Sequence, residues 1–107
     1  MKRGSIVTVA LQGDFGKGRP ALVVQSDLFA GHPSVSVLLV SSEIVDAPLI
    51  RIEIQPSERN GLRDPSQILA DKIFTVKREK VGSVIGQIED EVMVSVNRAM
   101  LVFLGLA

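Results

Sequence analysis

For most of its length the chain alternates short apolar runs with turn residues, and near its end the period changes. Ile6-Val7-Thr8-Val9-Ala10-Leu11 reads as a β-strand, and Ala21-Leu22-Val23-Val24-Gln25 reads as a second. Gln12 to Gly18 connects them as a hairpin loop with three glycines, Phe15 and Lys17. Val35-Ser36-Val37-Leu38-Leu39-Val40 is rich in β-branched residues and predicts a core strand. In Leu49-Ile50-Arg51-Ile52-Glu53-Ile54 the charges at 51 and 53 fall between apolar residues, a period of two that buries one face and wets the other. Gln55 to Pro65 is polar and punctuated by Pro56, Gly61 and Pro65, so it reads as a loop. Gln67 to Ile73 and Val81 to Ile88 are further strands, with Gly82 and Gly86 marking bulges or close backbone contacts.

From Glu89 the period becomes helical. Val92, Met93, Val96, Ala99, Met100, Phe103 and Leu104 recur at intervals of three and four, which lines one face of an amphipathic helix. Glu89, Asp90 and Glu91 sit at the positive end of its dipole, Arg98 lies toward the other end, and Gly105 is a stop. Met93 and Met100 fit core or dimer packing better than a cofactor site. About six strands and one C-terminal helix predict a mainly β protein, a small antiparallel barrel with a helix packed against it.

A chain of 107 residues is one domain, residues 1–107, with room for a single core. With 46% hydrophobic and 22% charged residues it reads as a globular, soluble protein, and its apolar runs are too short to cross a bilayer. Lys2 and Arg3 are followed by no apolar core, so no secretory signal is read and a cytoplasmic location is expected. The absence of cysteine removes disulfides, thiolate metal sites and thiol nucleophiles. Twelve basic and twelve acidic residues cancel, so a polyanion would have to be held by local clusters. Phe is the only aromatic type, which argues against a broad base-stacking platform.

Most catalytic templates fail on these residues. The one histidine, His32, precedes a proline in a loop and reads as solvated. Asp14, Asp71 and the Glu89-Asp90-Glu91 run lack metal-ligand spacing, and no cofactor or metal is expected. The glycines before Arg19 match no phosphate-binding P-loop, and no helix follows them. Arginine and hydroxyl chemistry survives. Arg19 is held between a glycine loop and Pro20, whose fixed φ sets the backbone at the strand entrance. A guanidinium fixed there suits bidentate contact with a phosphate. Ser41 and Ser42 end the core strand, where a hydroxyl either satisfies a turn or donates to a phosphate oxygen beside Arg19. RNA carries its own nucleophile in the 2′-hydroxyl. A ribonuclease therefore needs groups that stabilise charge on phosphorus and protonate the leaving 5′-oxygen, and a desolvated arginine with a hydroxyl supplies both.

Arg3-Gly4-Ser5-Ile6-Val7, the glycine loop, Arg19-Pro20-Ala21-Leu22-Val23-Val24-Gln25-Ser26-Asp27, Val40-Ser41-Ser42, the segment Ser57 to Ile73 and the closing Leu104-Gly105-Leu106 resemble, in the same order, the MazF/PemK toxins. These are the endoribonuclease halves of type II toxin–antitoxin modules. The resemblance implies an SH3-like barrel of the CcdB/MazF kind, assembled as a homodimer. Such a protein cuts single-stranded RNA, including mRNA, without a metal and leaves a 2′,3′-cyclic phosphate and a 5′-hydroxyl. By position it makes Arg19 the catalytic arginine and Ser41 the catalytic hydroxyl. It makes Gln12, Asp14, Phe15, Lys17, Pro20, Ser42 and Lys72 candidate RNA contacts. It also implies a cognate antitoxin of the MazE/PemI kind, whose acidic tail lies across sites beside the subunit interface.

Three positions depart from the usual pattern. Ser41 stands where threonine is usual, keeping the hydroxyl but not the stiff β-branch. Lys72 replaces a frequent glutamine, exchanging an amide that reads a base edge for a cation that suits phosphate, and Ser5 stands where aspartate is common. The alternative functions are a CcdB-like DNA gyrase inhibitor without nuclease activity and a non-catalytic small-barrel binding module. The first uses a C-terminal tryptophan that this chain lacks. The apolar end of the helix, Leu101-Val102-Phe103-Leu104, exceeds what one small barrel needs to cover and predicts a dimer surface.

Overall fold

The computed structural model describes residues 1–11 and 18–107. Six strands run in chain order as β1 (Ser5–Ala10), β2 (Gly18–Val23), β3 (Ser34–Ser41), β4 (Arg51–Ile54), β5 (Ser66–Lys77) and β6 (Val81–Gln87), followed by helix α1 (Asp90–Phe103). They form one antiparallel sheet in the order β4-β5-β3-β2-β1-β6.

Alternation along the strands builds two apolar layers. Ile6, Leu22, Leu38 and Ile68 face one side and pack with Ile88 and with Val96 of α1, while Val7, Val9, Ala21, Val23, Val37 and Leu39 face the other. A sheet that is buried on both faces but has one covering helix must curl so that its second face packs on itself. Register shifts on β1 against β6 and on β3 against β5 supply the bends. The outcome is the barrel-like, mainly β fold with a C-terminal helix that the sequence predicts.

The boundaries differ where partners decide them. β5 reaches Lys77 rather than stopping at Ile73, because Ser34 to Leu38 offer backbone partners to Ile73 through Lys77. β4 begins at Arg51 because Ile50 and Arg51 both donate their N–H to the Ala47 carbonyl, which turns the chain there. Gly82 and Gly86 do mark close approaches. A Cβ on Gly82 would sit 2.5 Å from Thr8 Oγ1, and one on Gly86 would run into the Asn60 carbonyl.

Helix α1 buries Val96 and Ala99 and rests Val92, Met93 and Met100 on the first layer. Its end is a Schellman turn. Gly105 has φ +73°, its N–H reaches Val102 O, and Leu106 N–H reaches Leu101 O. Arg98 falls short of the last turn, which holds no basic residue. Leu101, Val102, Phe103, Leu104 and Leu106 all remain exposed. No helix among the described residues is long and apolar enough to cross a membrane.

Candidate active site

A cleft of about 760 Å³ opens on the sheet. Strands β1, β2 and β3 contribute Thr8, Gly18, Arg19, Pro20, Val40 and Ser41, with Ser42 just beyond. The loop before β5 contributes Gly61 to Asp64, and β6 adds Ile85. Four of the residues singled out in the sequence, Arg19, Pro20, Ser41 and Ser42, therefore meet in one place.

The strand register brings the central pair together. β2 and β3 pair Ala21 with Leu39, Leu22 with Leu38 and Val23 with Val37. The pairing ends at Ala21 and Leu39, and Arg19 and Ser41 each lie two residues beyond that last pair, where both line the cleft. Ser42 falls on the opposite parity. Ser41 Oγ accepts the Glu43 N–H at 3.1 Å, which fixes the oxygen and leaves its own proton free to donate. Gln67, almost wholly buried, bonds Val45 with both ends of its amide, Oε1 accepting at 3.0 Å and Nε2 donating at 2.9 Å. That clamp sets the path of the chain leaving Ser41. Arg19 is exposed on the cleft wall rather than desolvated by its strand, so any desolvation has to come from what binds.

Lys72, which the resemblance makes a candidate RNA contact, is exposed on β5 and does not line the cleft. Gln12, Asp14, Phe15 and Lys17 lie outside the described residues. His32 serves its own loop, Nδ1 accepting the Ser34 N–H at 3.2 Å. Among the described residues no group of three or more His, Cys, Asp or Glu side chains is placed to hold a metal.

Thr8, Leu62, Arg63 and Asp64 line the cleft without having been picked out in the sequence. The charged pair Arg63-Asp64, two residues after Gly61, is the available signal, hidden in what reads only as a polar loop. Thr8 Oγ1 accepts the Ser83 N–H at 3.0 Å, which ties β6 to β1 beneath the cleft.

The loop itself is anchored by Asn60, which is fully buried. Asn60 Oδ1 accepts the N–H groups of Ser57 and Leu62, and Nδ2 donates to Gln55 O at 2.8 Å and Glu89 Oε1 at 3.0 Å. All four hydrogen-bonding positions of the side chain are used. Ser57 Oγ donates to Glu89 Oε2 at 2.6 Å. Burial disfavours the charge on Glu89, but the bonds from Ser57 and Asn60, its own backbone N–H and the Arg59 guanidinium outweigh it. The carboxyl is held below the usual carboxylate range.

Residues 2–104 match the family of PemK-like, MazF-like toxins of type II toxin–antitoxin systems. The chain belongs to this family. It is 42% identical to the probable endoribonuclease MazF of Mycolicibacterium smegmatis, over all of this chain and 99% of that protein. It is 30% identical to endoribonuclease EndoA of Bacillus subtilis, over 99% of this chain and 96% of that one. The fold resembles a mycobacterial endoribonuclease solved with its cognate antitoxin, at TM-score 0.85, 22% identity, and coverage of 100% of this chain and 97% of that one. It also resembles the Mycobacterium tuberculosis toxin MazF-mt6, at TM-score 0.82, 20% identity, and coverage of 96% and 98%. The PemK/MazF match and two relatives named as endoribonucleases lend nothing to the gyrase-inhibitor reading.

Proposed function

We propose that this PemK/MazF-family chain is the toxin of a type II toxin–antitoxin pair and a sequence-specific endoribonuclease acting on single-stranded RNA in the cytoplasm. The observation that carries this reading is the cleft that Arg19 of β2 and Ser41 of β3 line together, each two residues past the last β2–β3 pair. The chemistry is metal-independent. The 2′-hydroxyl of the RNA gives its proton to water in the open cleft as its oxygen attacks the adjacent phosphorus. The bond to the 5′-oxygen breaks and that oxygen takes up a proton, so the products carry a 2′,3′-cyclic phosphate and a 5′-hydroxyl. Arg19 grips the non-bridging oxygens as charge develops on them. The Ser41 hydroxyl, fixed through the Glu43 N–H, donates its proton toward the phosphate. Two relatives named as endoribonucleases support the same activity.

Pro20 and Ser42 contact RNA within the cleft, and Gln12, Asp14, Phe15 and Lys17 extend the contact along the β1–β2 connection. Lys72, outside the cleft, reaches only RNA that continues past it. The apolar end of α1 is covered by a second copy of the chain. A MazE/PemI-like antitoxin lays an acidic tail across the sites, in keeping with a structural relative solved with its cognate antitoxin.

End-labelled single-stranded RNA incubated with the protein in excess chelator tests this reading. Cleavage should persist and leave cyclic phosphate ends, and the active species should sediment as a dimer at micromolar concentration. Ser41→Ala should slow cleavage about tenfold to a hundredfold. Ser41→Thr should keep or raise activity and Ser42→Ala should matter less. Loss of cutting in chelator would replace this chemistry with a metal-dependent one, and a fully active monomer would remove the dimer.

A further inference from the structure

We propose that Arg63 is a second phosphate-holding side chain of the cleft, gripping a nucleotide that flanks the scissile bond. The inference rests on the nuclease reading above and names a substrate contact that reading does not contain. Arg63 lines the same cleft as Arg19 and Ser41, it is exposed, and it has no hydrogen bond or ion pair among the described residues. Arg98 is equally unpaired among the described residues but lies on α1, away from the cleft, and four other arginines are engaged in the fold. Arg59 bonds Asp90 at 2.7 Å and Ile88 O at 2.9 Å, Arg51 bonds Asp71 at 3.3 Å, and Arg3 bonds Asn97 Oδ1 at 2.7 Å. Asp64, next in the chain and lining the same cleft, makes no ion pair with Arg63 among the described residues.

The backbone just before Arg63 is nevertheless firmly held. Gly61 takes φ +71° with its Cα against the Ile85 carbonyl, where no Cβ fits. Leu62, immediately before Arg63, donates its N–H to Asn60 Oδ1 at 3.0 Å, and Asn60 is fully buried. A cation on a held backbone, facing a cleft and without a polar partner among the described residues, is preorganised for an anion that arrives from outside. Asp64 cancels the general attraction for a polyanion at this spot, so the contribution of Arg63 must come from direct contact with one phosphate. A guanidinium makes that contact through two parallel bonds, which an ammonium cannot copy.

The test is binding of a single-stranded RNA that is 2′-O-methylated throughout. It cannot be cut because its nucleophile is blocked, and its affinity is measured across a salt series. Arg63→Ala should bind about tenfold more weakly near ~100 mM salt. The slope of log affinity against log salt should shrink by about 0.7, the value for one phosphate contact on a single strand. Arg63→Lys should restore the slope but not the whole affinity, and thermal midpoints should match the wild type. Should Arg63→Ala melt early, Arg63→Gln, which removes the charge but keeps the first part of the aliphatic stem, replaces it in the same series. Unchanged affinity and slope in a folded variant, with wild-type protein that binds and cuts RNA, would overturn the role of Arg63 alone. Wild-type protein that neither binds nor cuts RNA would overturn the nuclease reading and this inference with it.

Discussion

Residues 57–60 and 62–64 belong to one loop and behave as opposites. At Ser57 and Asn60 the hydrogen-bonding groups find partners: the Asn60 amide is satisfied on all sides, and Ser57 joins it to Glu89 at the root of α1. A few residues later the side chains of Arg63 and Asp64 face a cleft without a hydrogen bond or ion pair among the described residues. The first half is where polar groups stabilise the fold, since a buried group left unpaired would cost more than its bond contributes. The second half is where polar groups are kept for something else. Across the cleft, Arg19 is of the second kind, exposed on a strand whose later residues are core, while Ser41 is half-exposed and holds the Glu43 N–H with its oxygen but keeps its own proton to donate.

The sharpest way to break this comparison is to remove one residue from each side. Arg19→Ala should lower RNA cleavage by about 10²–10³-fold, the effect of deleting a preorganised donor at a developing anion. Its urea midpoint should stay at the wild-type value. A folded Arg19→Ala protein with full cleavage would take Arg19 out of the mechanism. Asn60→Ala is the mirror case. It strands the Ser57 and Leu62 N–H groups and the Gln55 carbonyl, and should cost about 3 kcal/mol of stability in urea titration. A loss below about 0.5 kcal/mol would show that the loop is not anchored through Asn60.

Glu89 gives the smallest effect and a pH signature. Its carboxyl titrates lower in the folded chain than in the unfolded one, so the unfolded state binds the proton first as pH falls. The stability it contributes is therefore present above the unfolded value and disappears as pH drops through the folded value, low in the carboxylate range. Glu89→Gln should lower the thermal midpoint at neutral pH, and its difference from wild type should narrow on acidification. A gap that stays constant with pH would assign the effect to lost packing rather than lost charge.

The sheet and helix were legible in the residues because each strand and the helix must bury an apolar face, and that demand writes a period of two or of 3.6 into the chain. Gly105 could be read as a helix stop for an equally local reason, since a residue of positive φ is needed there. Arg19, between a glycine loop and a proline, was visible in the same way. Its exposure was not visible, because adjacency to an apolar strand does not say whether a side chain is covered.

What the sequence by itself determined was the set of elements, their order, and the candidacy of Arg19 and Ser41. Only the tertiary structure decided which residues share the cleft. The antiparallel pairing of β2 on β3 brought the strand ends that carry residues 19 and 41 to one opening, and the packing of Gly61 on β6 brought Arg63 and Asp64 to it. Lys72 was left outside it for the same kind of reason. A period along the chain reports which face a residue occupies, whereas a cleft is assembled from residues far apart in sequence, and their meeting is decided by strand pairing and loop anchoring that no local pattern records.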